Sequence, residues 1–290
     1  MRNDQTPRLC EMLWEPLALA ALNQSPREAA APMFARVLAQ MFGGSTTDAA
    51  IGIPVRPLDD MYANPARAYI EQLGGQVRTN AAARIVCDGE RVAHVSVQDE
   101  RLTADSVIAA VPWFALADLI VSPPPSLAPV IRAAAGTSPS PIVTVNLWLD
   151  RQVLESSFVG LPGRTMQWVF DKRDAFGNDA SHLSLVSSGA ADVFGRGNDE
   201  LIALAFSEIL EAFPEARRAR LTRATVVREK RATFSLAPGQ PPRPGARTGV
   251  QGLTLAGDWI ETGLPATIEG AVLSGRQAAE AVLATAKPQV

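Results

Sequence analysis

One stretch of this chain gathers groups that could hold a ligand. It runs Leu253-Thr254-Leu255-Ala256-Gly257-Asp258-Trp259-Ile260-Glu261-Thr262-Gly263-Leu264-Pro265-Ala266-Thr267-Ile268-Glu269-Gly270-Ala271. A short apolar strand ends in Gly257-Asp258, a Gly/Pro turn follows, and a helix of small residues begins. A carboxylate at the carboxyl end of a strand accepts hydrogen bonds from sugar-like hydroxyls. The helix N-terminus beyond it offers unpaired N–H groups and partial positive charge to an anion.

Both features suit a flavin, one for the ribityl chain and one for the negative charge that develops at N1 and C2=O on reduction. An ordinary strand–turn–helix unit has the same outline, so the pattern alone leaves both readings open. Pro265 supplies a preset φ for the first helical turn, where its missing N–H costs nothing. Ile268, Val272, Gly275, Ala279 and Val282 then recur at helical spacing and predict one apolar face. Gly270, Ala271 and Gly275 keep the helix thin enough to pack closely on a sheet or a planar ligand.

Other candidate chemistry is sparse. His94 and His182 make no metal cluster by themselves, and His94 alternates with Ser96 and Gln98 on what reads as the solvent side of a strand. Neither zinc-ligand spacing nor a G-x-S-x-G nucleophile elbow is present. Gly195-Arg196-Gly197 imitates a dinucleotide-binding turn but lacks the third glycine and a preceding strand. Asn198 or Asp199 there reads as the cap of a helix Leu201–Phe213. Trp113, Trp148 and Trp168 are read as core, and Arg217-Arg218-Ala219-Arg220 as a solvated helix end. No metal site is expected.

Composition narrows the class. The chain has 290 residues, 47% of them hydrophobic, enough for one large or two smaller cores. A net charge of −3 makes no electrostatic case for nucleic acid. Two distant cysteines, Cys10 and Cys87, predict a reducing compartment rather than a disulfide scaffold. Met1–Arg8 is polar and lacks the apolar region of a signal peptide. No window reaches the ~18 apolar residues of a spanning helix. The expectation is a cytoplasmic protein, with peripheral membrane contact as the alternative.

Helices are predicted at Pro16–Asn23 and Pro32–Phe42, either core elements or the lining of a hydrocarbon tunnel, and at Asn64–Leu73 before the stop Gly74-Gly75. A β-meander follows, with strands at Val77, Ile85–Cys87, Arg91–Val97 and Leu102 and a hairpin turn at Asp88-Gly89. Asp105–Pro112 reads as a buried strand. Beyond it come strands Ile142–Leu149, Gln167–Phe170, Leu183–Ser187 and Thr222–Arg228, and then a Pro/Gly/Arg linker from Pro238 to Gly249. The fold class is α/β plus α+β. Its parts are 8–60, helical; 61–114, helix and meander; 115–245, a mixed substrate domain; and 246–286, the final strand and helix.

Gly257-Asp258 through Gly275-Arg276-Gln277-Ala278-Ala279 resembles the C-terminal FAD signature of the flavin amine oxidase and phytoene desaturase superfamily. Leu13-Trp14-Glu15-Pro16-Leu17-Ala18-Leu19-Ala20-Ala21-Leu22-Asn23 and Arg228-Glu229-Lys230-Arg231-Ala232-Thr233-Phe234 resemble segments of the bacterial squalene-associated desaturases, the hydroxysqualene dehydroxylases. The resemblance runs over nearly the whole chain. It implies a glutathione-reductase-like FAD domain with an inserted substrate domain, and FAD as cofactor. The cofactor would meet Ala82, Gly257, Asp258, Pro265, Ala266, Thr267 and Ile268, with Ala82 touching adenine through its backbone. It also implies a lipophilic C30 isoprenoid substrate, reduced from hydroxysqualene to squalene in hopanoid synthesis.

Family members open with a strand and a G-x-G-x-x-G turn that Met1–Arg8 does not resemble. The chain therefore reads as the C-terminal portion of such a flavoprotein, with an incomplete Rossmann-type domain and weak hold on FAD. Asp59, Asp60 and Asp171 are all candidates for the acid that protonates the leaving hydroxyl. Carotenoid-type desaturation, amine oxidation, and an inactive FAD-free remnant are the alternatives.

Overall fold

The computed structural model describes residues 5–177 and 180–286. Met1–Asp4, the start of the polar opening stretch, lie outside the described residues. In chain order the principal elements are α1 (Glu15–Leu22), α2 (Ala31–Phe42) and α3 (Asn64–Gln72), then β1 (Ala83–Asp88), β2 (Arg91–Val97), β3 (Glu100–Leu102), β4 (Val107–Ala110) and β5 (Ile120–Val121). After α4 (Ala128–Gly136) come β6 (Pro139–Leu149), β7 (Phe158–Gly160), β8 (Trp168–Asp171) and β9 (His182–Ser188). The chain closes with α5 (Asn198–Ala212), β10 (Leu221–Phe234), β11 (Leu253–Ala256) and α6 (Ile268–Ala286). These fall into two compact units, Met1–Val77 with Pro139–Thr233, and Arg78–Ser138 with Phe234–Val290.

The first unit is built on a five-stranded sheet in the order β10-β6-β9-β8-β7. Strand β6 alternates as its sequence predicts. Val143, Val145, Leu147 and Leu149 point into a core shared with Val169, Leu183 and Leu185, and α5 covers it with Leu201, Ala205 and Ile209. Strand β10 runs from Leu221 to Phe234, well past the predicted Arg228. Gly197, in extended conformation, is the N-cap of α5, which corrects the expected Asn198 or Asp199 cap. Asn198 is engaged elsewhere, because Arg228 donates to its side chain and to the carbonyls of Phe194 (3.1 Å) and Arg196 (2.6 Å). The Gly195–Gly197 turn thus holds an arginine of its own chain.

Asn23, at the end of the segment that resembles the dehydroxylases, ends α1 in a left-handed conformation with φ 50°. Its amide donates to the Ser140 carbonyl (3.1 Å) and to Thr233 Oγ1 (2.9 Å), and its Oδ1 accepts from the Gly189 N–H (2.7 Å). Helix α1 buries Ala18 and Leu22, whereas α2 buries no residue.

In the second unit the meander forms a four-stranded sheet in the order β3-β2-β1-β5, and β11 pairs with β4 in parallel. The hairpin is where the sequence placed it, but Asp88 pairs with Arg91, so Gly89 (φ 54°) and Glu90 form the turn. A positive φ at the first turn position alone suits glycine there. Val77 lies outside any strand, and β4 buries only Ala109, leaving Ile108 exposed. His94 corrects its solvent-facing expectation. It is 8% exposed, on a strand paired at both edges, where position in the sheet outweighs alternation of polarity.

Leu116, Ile120, Leu127 and Ala134 join a core with Ile85, Leu253, Leu255, Trp259 and Ile260. Residues 116–138 therefore pack with the meander and the final strand, although the composition changes after Pro112. Residues 61–77 belong to the first unit. The proline-rich stretches mark bends in the path rather than changes of core.

Candidate functional site

Strand β11 lies in parallel register with β4, from Leu253 opposite Val107 to Ala256 opposite Ala110. Its end is sharply defined. Gly257 has φ 132°, and a Cβ there would lie 3.0 Å from Trp259 Cδ1 and 3.2 Å from the Val111 carbonyl. Only glycine suits that position. The Gly257 N–H donates to Ser274 Oγ (2.8 Å), which in turn donates to the Ala271 carbonyl (2.7 Å). Strand end and helix are thereby stapled through a fully buried serine.

Asp258 follows, half-buried. Burial pushes its carboxyl above the usual carboxylate range, while N–H groups of Trp259 and Asp258 and the charge of Arg243 act in the opposite sense. Trp259 and Ile260 anchor the next step in the core, at 2% and 0% exposure, and Trp259 Nε1 donates to the Val111 carbonyl (2.9 Å). A carboxylate raised in this way is one that a hydroxyl-bearing ligand would relieve by donating to it.

Helix α6 begins at Ile268, later than the sequence predicts. Pro265 is buried and sits before the helix rather than in its first turn. Thr267 is the cap, with Oγ1 accepting from the Gly270 N–H (3.0 Å) and its carbonyl accepting from Ala271 (3.0 Å). The N–H groups of Ile268 and Glu269 precede the first intrahelical bond and sit at the positive end of a 19-residue dipole.

The face of α6 is also corrected. Gly270, Ser274, Ala278 and Ala281 are buried, while Ile268, Val272 and Leu283 are 54%, 63% and 63% exposed. Small residues let the helix lie close on β11, and the larger apolar residues at the other phase are left outside.

Of the seven sequence-predicted site residues, Gly257, Asp258, Pro265, Ala266, Thr267 and Ile268 are gathered on this one strand–turn–helix unit. Ala82 is exposed and directly precedes β1, which belongs to the other sheet of the same unit. The three acid candidates occur in the first unit. Asp59 and Asp60 are exposed in a π-turn, and Asp171 is engaged by Arg173 through its N–H (3.0 Å) and Nε (2.7 Å). In that pair the Asp171 side chain is 3% exposed and that of Arg173 20%.

Sequence reasoning missed Ser274, Trp259 and the pair Arg243–Glu261. Nothing in the spacing of an arginine in a Pro-rich linker announces a partner 18 residues on. Among the described residues no group of three metal-binding side chains occurs, and no helix is long and apolar enough to cross a membrane.

The residues present fit the flavin that the sequence suggested. They supply a half-buried carboxylate that can accept from hydroxyls, a helix N-terminus whose N–H groups can donate, and a thin helix surface. Comparison with known proteins agrees. The chain is 32% identical over 286 residues to the hydroxysqualene dehydroxylase of Sinorhizobium fredii, covering 95% of this chain and 63% of that protein. It is 27% identical over 238 residues to the 15-cis-phytoene desaturase of Synechococcus elongatus, covering 76% of this chain and 50% of that protein.

Among solved structures, cyclohexylamine oxidase from Brevibacterium oxydans superposes with a TM-score of 0.69 at 12% identity, over 97% of this chain and 65% of that one. That likeness shows a shared fold, with mixed α/β content. The chain spans about 63% of the length of the dehydroxylase it matches. The family profile described as flavin containing amine oxidoreductase matches residues 3–283, and the chain belongs to that family.

Proposed function

We propose that this protein works as an FAD-dependent oxidoreductase that removes the hydroxyl of hydroxysqualene to give squalene. The observation that carries the reading is the likeness to a hydroxysqualene dehydroxylase over 95% of the chain. The geometry of the Gly257–Ile268 turn supports it from the cofactor side. In this reading the unit Arg78–Ser138 with Phe234–Val290 contributes to an incomplete Rossmann-type FAD domain, and the other unit is the substrate domain.

Asp258 would accept from the ribityl hydroxyls. Thr267 and Ile268 would turn backbone N–H groups towards the pyrimidine edge, where the helix dipole stabilises negative charge. Gly257 and Pro265 shape the turn that carries them, with Ala266 beside them, and Ala82 would meet the adenine through its backbone. When bound in reduced form, FAD supplies the hydride that replaces the hydroxyl on the allylic carbon, and a proton completes water from the departing hydroxide. The chain's own work is to orient the lipophilic substrate, exclude water and deliver that proton. A cytoplasmic protein that collects its isoprenoid at a membrane surface suits such a substrate.

The test is an anaerobic incubation of purified protein with FAD, a chemical reductant and hydroxysqualene, with products read by mass spectrometry. With the incubation run in D2O, so that the exchangeable N5 hydrogen of the reduced flavin is deuterium, squalene carrying one deuterium is the expected result. Desaturated product from phytoene under oxidising conditions, without squalene formation, would favour the desaturase reading. Absence of saturable FAD binding would leave only the inactive remnant.

A further inference from the structure

We propose that Arg243 is a positioning residue that holds the carboxylate of Asp258 and the N-terminus of α6 in one ligand-binding geometry. The inference rests on the flavin reading above and extends it to a residue in the Pro-rich linker.

The turn between Asp258 and Thr267 is short of regular hydrogen bonds, so something other than a ladder must set the separation of its two ends. Arg243 ties together two points inside it. Its Nε and Nη2 donate to the two carboxylate oxygens of Glu261, at 3.0 and 2.9 Å, and its Nη1 donates to the Leu264 carbonyl at 2.7 Å. Glu261 lies three residues after Asp258 and Leu264 three residues before the helix cap. One planar guanidinium therefore bridges the middle of the turn.

The clamp is itself fixed. The guanidinium lies over the Phe234 ring, 5.2 Å from its centroid, and the side chain is only 13% exposed. Glu261 also accepts from the Gly263 N–H (2.7 Å), and its own N–H donates to the carbonyl of Pro244, the residue next to Arg243 (2.9 Å). The glutamate thus organises the Gly263 bend, where φ is 80°. A cavity of about 240 Å³ lies beside Arg243, lined in part by Phe234, Trp259 and Glu261.

A fork-shaped contact of this kind is specific to arginine. Lysine supplies the charge but cannot donate to both carboxylate oxygens and to a carbonyl in one plane. Nothing in this arrangement touches the reacting atoms. Arg243 acts through the positions of Asp258 and the helix.

The experiment compares wild type, R243A, R243K and E261Q by FAD titration to millimolar concentration, circular dichroism of the bound flavin in the visible region, and melting of the flavin-free protein. R243A is expected to weaken FAD binding at least tenfold and to change the visible dichroism at saturation. R243K and E261Q should fall between it and wild type. If R243A does not fold, those two milder variants carry the comparison.

Wild-type affinity and dichroism in R243A, or in both milder variants where R243A is lost, would overturn the proposal. So would a fall in melting temperature with the dichroism of the bound flavin unchanged, because that is what a purely structural ion pair gives. Failure of wild type itself to bind FAD saturably would overturn the flavin reading and this inference together. Normal binding by wild type with no effect of the substitutions would overturn this inference alone.

Discussion

Asp258→Asn separates a ligand-binding carboxylate from one that merely shapes a turn. Burial raises the Asp258 carboxyl above its usual range in the folded protein. For such a group the protonated form is the one the fold favours. The stabilisation is therefore complete below the ordinary pKa of about 3.9 and is lost as pH rises through the folded value. At neutral pH the flavin-free protein carries the cost of a half-buried charge.

The amide introduced by Asp258→Asn carries no such cost, so the substituted protein should melt higher than wild type at pH 7, and the gap should close as pH falls towards 4. FAD binding should move the other way. A charge-assisted hydrogen bond is worth ~1.5–3 kcal/mol and a neutral one ~0.5–1.5 kcal/mol. Exchanging one for the other loses about 1 kcal/mol, or roughly fivefold in affinity. Asp258→Ala, which removes the acceptor altogether, should cost ~1.5–3 kcal/mol, or about ten- to a hundredfold.

The assays are melting curves of the flavin-free protein from pH 4 to 8 and FAD titrations of all three proteins. Parallel melting profiles together with unchanged FAD affinity would refute the reasoning. An equal fall in melting temperature with and without FAD in Asp258→Ala would show instead that the side chain only holds the turn.

Substitutions at three further positions test the scaffold. Gly257→Ala forces a side chain into a φ of 132° against Trp259 and the Val111 carbonyl, and should cost ~1–3 kcal/mol, read by chemical denaturation with tryptophan fluorescence. Ser274→Ala leaves the Gly257 N–H without its acceptor inside the fold, and should cost ~1–3 kcal/mol; a loss under half a kilocalorie would show that the staple is dispensable. Asn23→Ala strands the Ser140 carbonyl, Thr233 Oγ1 and the Gly189 N–H at once and removes a residue suited to φ 50°. It should exceed ~3 kcal/mol, and Asn23→Gly should recover only the small backbone part.

Much of this protein was legible from local pattern. Period-two alternation located β6, glycine marked the hairpin at Gly89 and the stop after α3, and the Gly257-Asp258 strand end with its following helix located the candidate site. These signals are local because they arise from backbone dihedral preference and from side-chain direction, which neighbouring residues dictate.

What required the tertiary structure was every choice between equivalent faces and every partnership across sequence. Helix α6 has both a larger apolar stripe at Ile268 and Val272 and a small one at Gly270, Ser274 and Ala278. The helix lies on β11 through the small one, because close approach gains more contact than bulk held at a distance. His94 reads as polar and exposed yet is buried, and residues 116–138 read as part of the next domain yet pack with the meander. Arg243 and Glu261 are two surface-type residues until the fold brings the linker against the turn. A charge pair has no periodicity to betray it; only the path of the chain decides which charges meet.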